Sequence, residues 1–87
     1  MNTLSKIKLS EAVLIVHGFQ KHPNYGYWFY PNENTREHYR VEPMTYKEGT
    51  WFAYLPCYFN PVLRELSTLG ELSNLHQGFF DNPLIPS

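Results

Sequence analysis

Cys57 and the four histidines, His17, His22, His38 and His76, have the widest chemical reach in this 87-residue chain. A cysteine beside a histidine yields thiolate at neutral pH, which is the chemistry of a thiol nucleophile. That chemistry needs the two groups side by side, and nothing in the spacing pairs them. Cys57 sits in Leu55-Pro56-Cys57-Tyr58-Phe59, an apolar setting in which a free cysteine packs as an inert, buried hydrophobe. A metal centre needs closely spaced ligands such as C-x-x-C or a helical H-x-x-x-H. The histidines meet neither pattern, so no metal, cofactor or catalytic residue is expected.

The charged side chains gather between Glu33 and Glu42, where Arg36 and Arg40 interleave with Glu33, Glu37 and Glu42. On a strand, His38, Arg40 and Glu42 share one face, and Tyr39 and Val41 take the other. An exposed ion pair contributes only ~0–1 kcal/mol, so the plainest role of the polar face is to meet solvent. The functional alternative is that Arg36 and Arg40 anchor an acidic loop of a partner, since arginine is enriched in interfaces.

Two short stretches resemble known families. Leu14-Ile15-Val16-His17-Gly18-Phe19 resembles the strand-plus-His-Gly segment that precedes the oxyanion loop of α/β-hydrolases. That family also requires a G-x-S-x-G elbow and a large sheet, and this chain has no such elbow and is a fraction of the size. The aromatic run Tyr25-Gly26-Tyr27-Trp28 superficially resembles the base-stacking strand of RNA-recognition sheets. The basic flanks of that motif are missing, with only Lys21 nearby.

Seven basic and eight acidic side chains nearly cancel. Without a broad positive field there is little to hold a phosphate backbone, which argues against a nucleic-acid partner. Charged residues make up 17% of the chain, below the usual ~25%, and aromatics another 17%. Such a composition suits a folded domain with adhesive surface. One cysteine allows no intramolecular disulfide, which fits a reducing, cytoplasmic setting. The apolar run Ala12–Val16 is far too short to span a bilayer, and no membrane association is expected.

These side chains must be positioned by a small α+β domain. Residues 8–20 read either as a helix, capped by Ser10 and closed by Gly18, or as a strand. Tyr25–Tyr30, Glu37–Glu42 and Thr50–Leu55 read as strands of an antiparallel meander, with a further short strand at Met44–Tyr46. Turns at Pro31-Asn32-Glu33-Asn34 and Lys47-Glu48-Gly49 separate them. Pro43 cannot donate to a ladder, so the strand containing it ends there or lies on an edge. Asn60 and Pro61 announce an amphipathic helix whose apolar stripe is Val62, Leu66, Leu69, Leu72 and Leu75, with a pause at Gly70. The expected architecture is thus a three- to four-stranded antiparallel β-meander against a C-terminal amphipathic helix, in one domain over 1–78. An extended tail follows over 79–87.

The meander raises the functional question. In YGYWFYP, Tyr25, Tyr27 and Phe29 face one way and Trp28 and Tyr30 the other. In the Thr50–Leu55 strand, Trp51, Ala53 and Leu55 oppose Thr50, Phe52 and Tyr54. Both faces are apolar, and one helix covers a stripe only about 10 Å across. The second face is covered by the N-terminal segment, by a second copy of the chain or by another protein. Tyrosine, which buries a ring while its hydroxyl reaches a partner, dominates the aromatic excess. The expectation is a small intracellular protein-binding module of accessory or inhibitor type, such as a mobile element carries, acting by occupancy rather than turnover. A homodimer is among its expected forms. Trp28, Tyr30, Tyr54, Arg36 and Arg40 are its expected contact residues. The alternative is a small-ligand domain with a pocket walled by Trp28, Tyr30 and Tyr54.

Overall fold

The computed structural model describes residues 3–31, 38–57, 59 and 61–85. A 3₁₀ turn, Thr3–Lys6, leads into helix α1, Glu11–Val16; five strands and a second helix follow. The strands are β1 (Gln20–Lys21), β2 (Trp28–Phe29), β3 (Arg40–Pro43), β4 (Trp51–Tyr54) and β5 (Val62–Leu66), and helix α2 is Leu69–Phe80. The sheet runs β1-β2-β3-β4-β5 in chain order with every neighbour antiparallel. The α+β meander expected from the sequence is present, with five strands in place of three or four.

Helix α1 resolves the ambiguity of residues 8–20. Ser10 is the N-cap, and its Oγ accepts from the Val13 N–H at 3.2 Å. At the other end Gly18 takes φ 91°. Gly18 N–H donates to the Ile15 carbonyl at 3.1 Å and Phe19 N–H to the Leu14 carbonyl at 2.9 Å. This is a Schellman closure, which satisfies the last carbonyls and needs a left-handed residue where glycine stands. Capping at both ends fixes a six-residue helix whose β-branched residues would otherwise favour a strand. The strand-plus-His-Gly likeness to hydrolases is thereby overturned, because Leu14–Val16 are helical and His17-Gly18 is the helix terminus.

The C-terminal helix differs more from expectation. Val62–Leu66 is the fifth strand, with Trp51 opposite Leu66 and Phe52 opposite Glu65, and a bulge where Tyr54 meets Val62. Pro61 precedes it, its carbonyl accepting from Leu55 N–H at 3.0 Å. The helix begins eight residues later than its expected start at Pro61, on a capping box in the sequence Thr68-Leu69-Gly70-Glu71. Glu71 Oε1 accepts from Ser67 N–H (3.0 Å) and Thr68 N–H (3.1 Å), while Thr68 Oγ1 accepts from Glu71 N–H at 3.3 Å. Burial alone would raise the Glu71 carboxyl, but these hydrogen bonds outweigh it and hold it below its ordinary value. The apolar stripe is therefore shared. Leu66 belongs to the strand, whereas Leu69 and Leu72 belong to the helix, and all three are fully buried.

Gly70 is no pause but a contact point in the first turn of α2. A Cβ there would lie 2.7 Å from Ser5 Cβ and 2.8 Å from the Ser5 carbonyl. The 3₁₀ turn thus packs directly on the helix start, and Ile7–Leu9 runs antiparallel to Ser67–Leu69. Leu69 N–H donates to the Ile7 carbonyl at 2.8 Å and Leu9 N–H to that of Ser67 at 3.0 Å. Helix α2 includes Phe79 and Phe80, and Ile85 folds back into the core, so the boundary of the tail moves beyond residue 80. Met44–Tyr46 is turn rather than strand, and β3 ends at Pro43.

The core lies on one side of the sheet. Trp28, Val41, Trp51, Ala53 and Leu66 from the strands meet Leu14 of α1 and Leu69 and Leu72 of α2 in a single buried cluster. Helix propensity alone makes Gly70→Ala stabilising by about 1 kcal/mol. The contact with Ser5 reverses the sign, and the variant should lose about 1–3 kcal/mol from overpacking. Thr68→Ala should lose about 1 kcal/mol with the cap; urea denaturation of the two variants checks both values.

Candidate functional site: the helix-free face of the sheet

Strand register decides which aromatic residues share a face. Trp28 pairs with Val41, Val41 with Ala53, and Pro43 with Trp51, which aligns the core row. Phe29 pairs with Arg40, Arg40 with Tyr54, and Tyr54 with Val62 in the neighbouring row, whose side chains alternate to the opposite face. Both helices place their buried leucines in the core cluster. Among the described residues no helix covers the other face.

That face protects itself with a layer of rings. Arg40 lies with its guanidinium carbon 4.2 Å from the centre of the Tyr27 ring, a cation–π contact. Tyr25 stacks beside Tyr27 at 6.2 Å, with Phe29 6.1 Å from Tyr27 on the strand side. Phe52 stacks on Tyr54 at 5.6 Å. Tyr27 and Tyr54 are only 6% exposed each, although neither belongs to the helix-side cluster. Burial first, and then the charge of Glu42, push the Tyr54 hydroxyl up to about 12; a hydrogen bond from Arg40 pulls the other way.

Beside this layer opens a groove of about 670 Å³, lined by Glu42, Met44, Tyr46, Phe52, Val62 and Glu65 among others. Tyr46 is 83% exposed and Val62 61%. Lys47 Nζ reaches Glu65 Oε1 at 3.2 Å across the rim.

The five expected contact residues do not form one surface. Trp28 is 4% exposed and lies in the core. Tyr30 is half-buried on the same side, edge-on to Phe19 at 5.4 Å and to Phe80 at 5.2 Å. Tyr54 and Arg40 belong to the helix-free face, where Arg40 is half-buried, laid on the Tyr27 ring and hydrogen-bonded to Tyr54. Arg36 lies outside the described residues. Alternation within each strand was readable from sequence, whereas the register that joins Tyr54 to Arg40 and separates both from Trp28 was not. Phe52, Tyr46, Val62 and the two glutamates were missed. Their one visible signal was the pair of apolar faces on Thr50–Leu55.

The titratable groups first considered for catalysis fall elsewhere. Cys57 is exposed rather than buried, because it lies in the bend after β4 where the chain leaves the sheet. His22 sits in the β1–β2 turn, its Nδ1 accepting from Asn24 N–H at 3.1 Å. Among the described residues no three histidine, cysteine or acidic side chains are placed to hold a metal ion. No helix among them is long and apolar enough to cross a membrane. No protein-family model matches the chain, and neither a curated protein nor a solved structure does so.

His76 is the one deeply buried histidine, on α2, with Tyr39 Oη 2.7 Å from its Nδ1. Burial, then the nearby His38, push its pKa down to about 4. Burial also raises the Tyr39 hydroxyl, so Tyr39 donates and neutral His76 accepts. Tyr30 and Phe80 close over the ring at 4.5 and 4.3 Å. The folded state holds His76 neutral while the unfolded chain protonates it near the ordinary value of 6.5. Its contribution to stability is therefore full above that value and lost as pH falls towards about 4. Urea unfolding should give a flat stability above neutrality and a decline through that window. His76→Gln, which keeps an acceptor for Tyr39, should remove most of the decline.

Proposed function

We propose that this chain is a small protein-binding module that occupies a partner surface through the helix-free face of its sheet. The observation that carries the reading is the groove of about 670 Å³ beside a self-packed ring layer, with Tyr46 and Val62 left largely exposed. Both helices cover the opposite face, so Tyr46 and Val62 are left where a partner can reach them. Contiguous apolar surface of this kind, rimmed by charge, marks interaction sites on small domains. Phe52, Tyr46 and Val62 replace Trp28 and Tyr30 as the contact residues, with Tyr54 and Arg40 as their support. The mode of action is occupancy, as for an accessory or inhibitor protein, and the setting is cytoplasmic.

A second reading takes the same groove as a small-ligand pocket, because its volume falls within the ~300–1,000 Å³ of such sites. It is walled by Phe52 and Tyr46 rather than by Trp28, Tyr30 and Tyr54. A ligand held at about a hundred times its dissociation constant should raise stability by ~2.7 kcal/mol in thermal unfolding, and a protein-only module should stay flat.

The decisive comparison uses one lysine on each side of the molecule. Val62 lies at the groove and Val16, 78% exposed, on α1 on the opposite side. Immobilised wild-type protein and the variants Val62→Lys and Val16→Lys are exposed to extract of the native host cell. A protein held by wild type and Val16→Lys but lost from Val62→Lys supports the reading, provided the purified pair reproduces the loss. Equal capture by both variants, or none by wild type, counts against it. Light scattering of the isolated chain completes the comparison, since a dimer broken by Val62→Lys makes the occupant a second copy.

A further inference from the structure

The groove has a charge pattern that specifies its occupant further. Glu42 pairs with Phe52 across β3 and β4, and Phe52 with Glu65 across β4 and β5. The three side chains therefore form one cross-strand row on the helix-free face, carboxylate, ring, carboxylate, and all three line the groove. Directly paired residues hold their Cβ atoms about 4.5–5.5 Å apart, so both carboxylates flank the same aromatic ring. A ring face is the negative end of the aromatic quadrupole, and two carboxylates beside it reinforce that sign. Among the described residues Glu42 makes no ion pair, and Glu65 has only the exposed link to Lys47. Arg40, a further cation among the described residues of this face, is turned onto Tyr27.

We infer that the groove receives an arginine side chain of the partner protein, its guanidinium over Phe52 and between Glu42 and Glu65. The inference rests on the reading of this face as a protein-binding surface. It reverses the charge expected from Arg36 and Arg40, since a basic partner segment is recognised in place of an acidic one. Arginine suits the site better than lysine. Its planar, weakly hydrated cation stacks on a ring while its fork of donors reaches carboxylates on both sides. Tyr46, Met44 and Val62 supply apolar surface for the methylene stem and for neighbouring residues of the segment. Lys47 at the rim releases Glu65 as the incoming cation takes its place.

The test is a nuclear magnetic resonance titration of the whole chain with a capped pentapeptide of four alanines around a central arginine. The matched peptide carries citrulline, which keeps the shape and loses the charge. The arginine peptide should shift the Phe52 ring, Met44 methyl and Val62 methyl resonances with millimolar affinity, and the citrulline peptide should bind about tenfold more weakly. The double variant Glu42→Gln/Glu65→Gln should bind the arginine peptide about tenfold more weakly with its spectrum otherwise native. Equal binding of the two peptides, unchanged binding by the double variant, or no shift at Phe52 overturns the inference. Tetramethylammonium ion binding as tightly as the peptide also overturns it, by making the groove a small-cation site. The two levels separate cleanly. A captured protein lost from Val62→Lys but retained by Glu42→Gln/Glu65→Gln leaves the protein-binding reading standing and removes the arginine.

Discussion

The structure depends on an imbalance between the faces of its sheet. Strands β2 and β4 carry large apolar side chains on both faces, and the described residues form two helices with which to cover them. Both go to the same side, because the core row of Trp28, Val41, Ala53, Trp51 and Leu66 is where Leu14, Leu69 and Leu72 bury fully. A chain of 87 residues buries only about 60–65% of its unfolded surface, so it has little material for a third layer. The other face is handled by rings packing on rings, with Arg40 laid across Tyr27 and bonded to Tyr54. Such a layer shields Tyr27 and Tyr54 and leaves a groove at its border.

The two helix starts show how local chemistry enforces that arrangement. Ser10 and Gly18 bracket a helix too short to persist in isolation, where about 12–15 residues is the usual minimum. It survives because Leu14 and Phe19 are drawn into the core next to its closure. At α2, Glu71 gathers the N–H groups of Ser67 and Thr68 and also meets Arg64 Nη2 at 3.0 Å. One carboxylate thus ties the end of β5 to the beginning of α2. The close seat of Ser5 on Gly70 then locks the N-terminal turn onto the same junction.

Much of this was legible in the sequence, and what was not has a physical reason. Ser10 and Gly18 were compatible with α1 but left a strand open for the same residues, and the aromatic and β-branched runs marked β2 to β4. Val62 to Leu66 was misread because a spacing of three and four along Val62, Leu66, Leu69, Leu72 and Leu75 is equally satisfied by a strand ending on Leu66 and a helix starting at Leu69. The Thr68-x-x-Glu71 box was the readable signal that separates the two, and Pro61 is as compatible with the start of an edge strand as with a first helical turn. Faces were legible strand by strand, but register is set by tertiary pairing. Alternation alone therefore does not separate Trp28 from Tyr54, which lie on opposite sides. The candidate site was legible only as a question, that of which apolar face would be left open.

The two tryptophans offer the most direct measurement of this account. The chain holds only Trp28 and Trp51, and both lie on the helix-covered face, 4% and 5% exposed. Collisional quenching of tryptophan fluorescence by acrylamide and iodide in the folded protein reads that placement without a partner or a variant. Both rings should show blue-shifted emission and strong protection, lost together on unfolding in urea. A red-shifted, readily quenched tryptophan in the folded chain would contradict it, by placing Trp28 or Trp51 on the open face and exchanging the core for the contact surface.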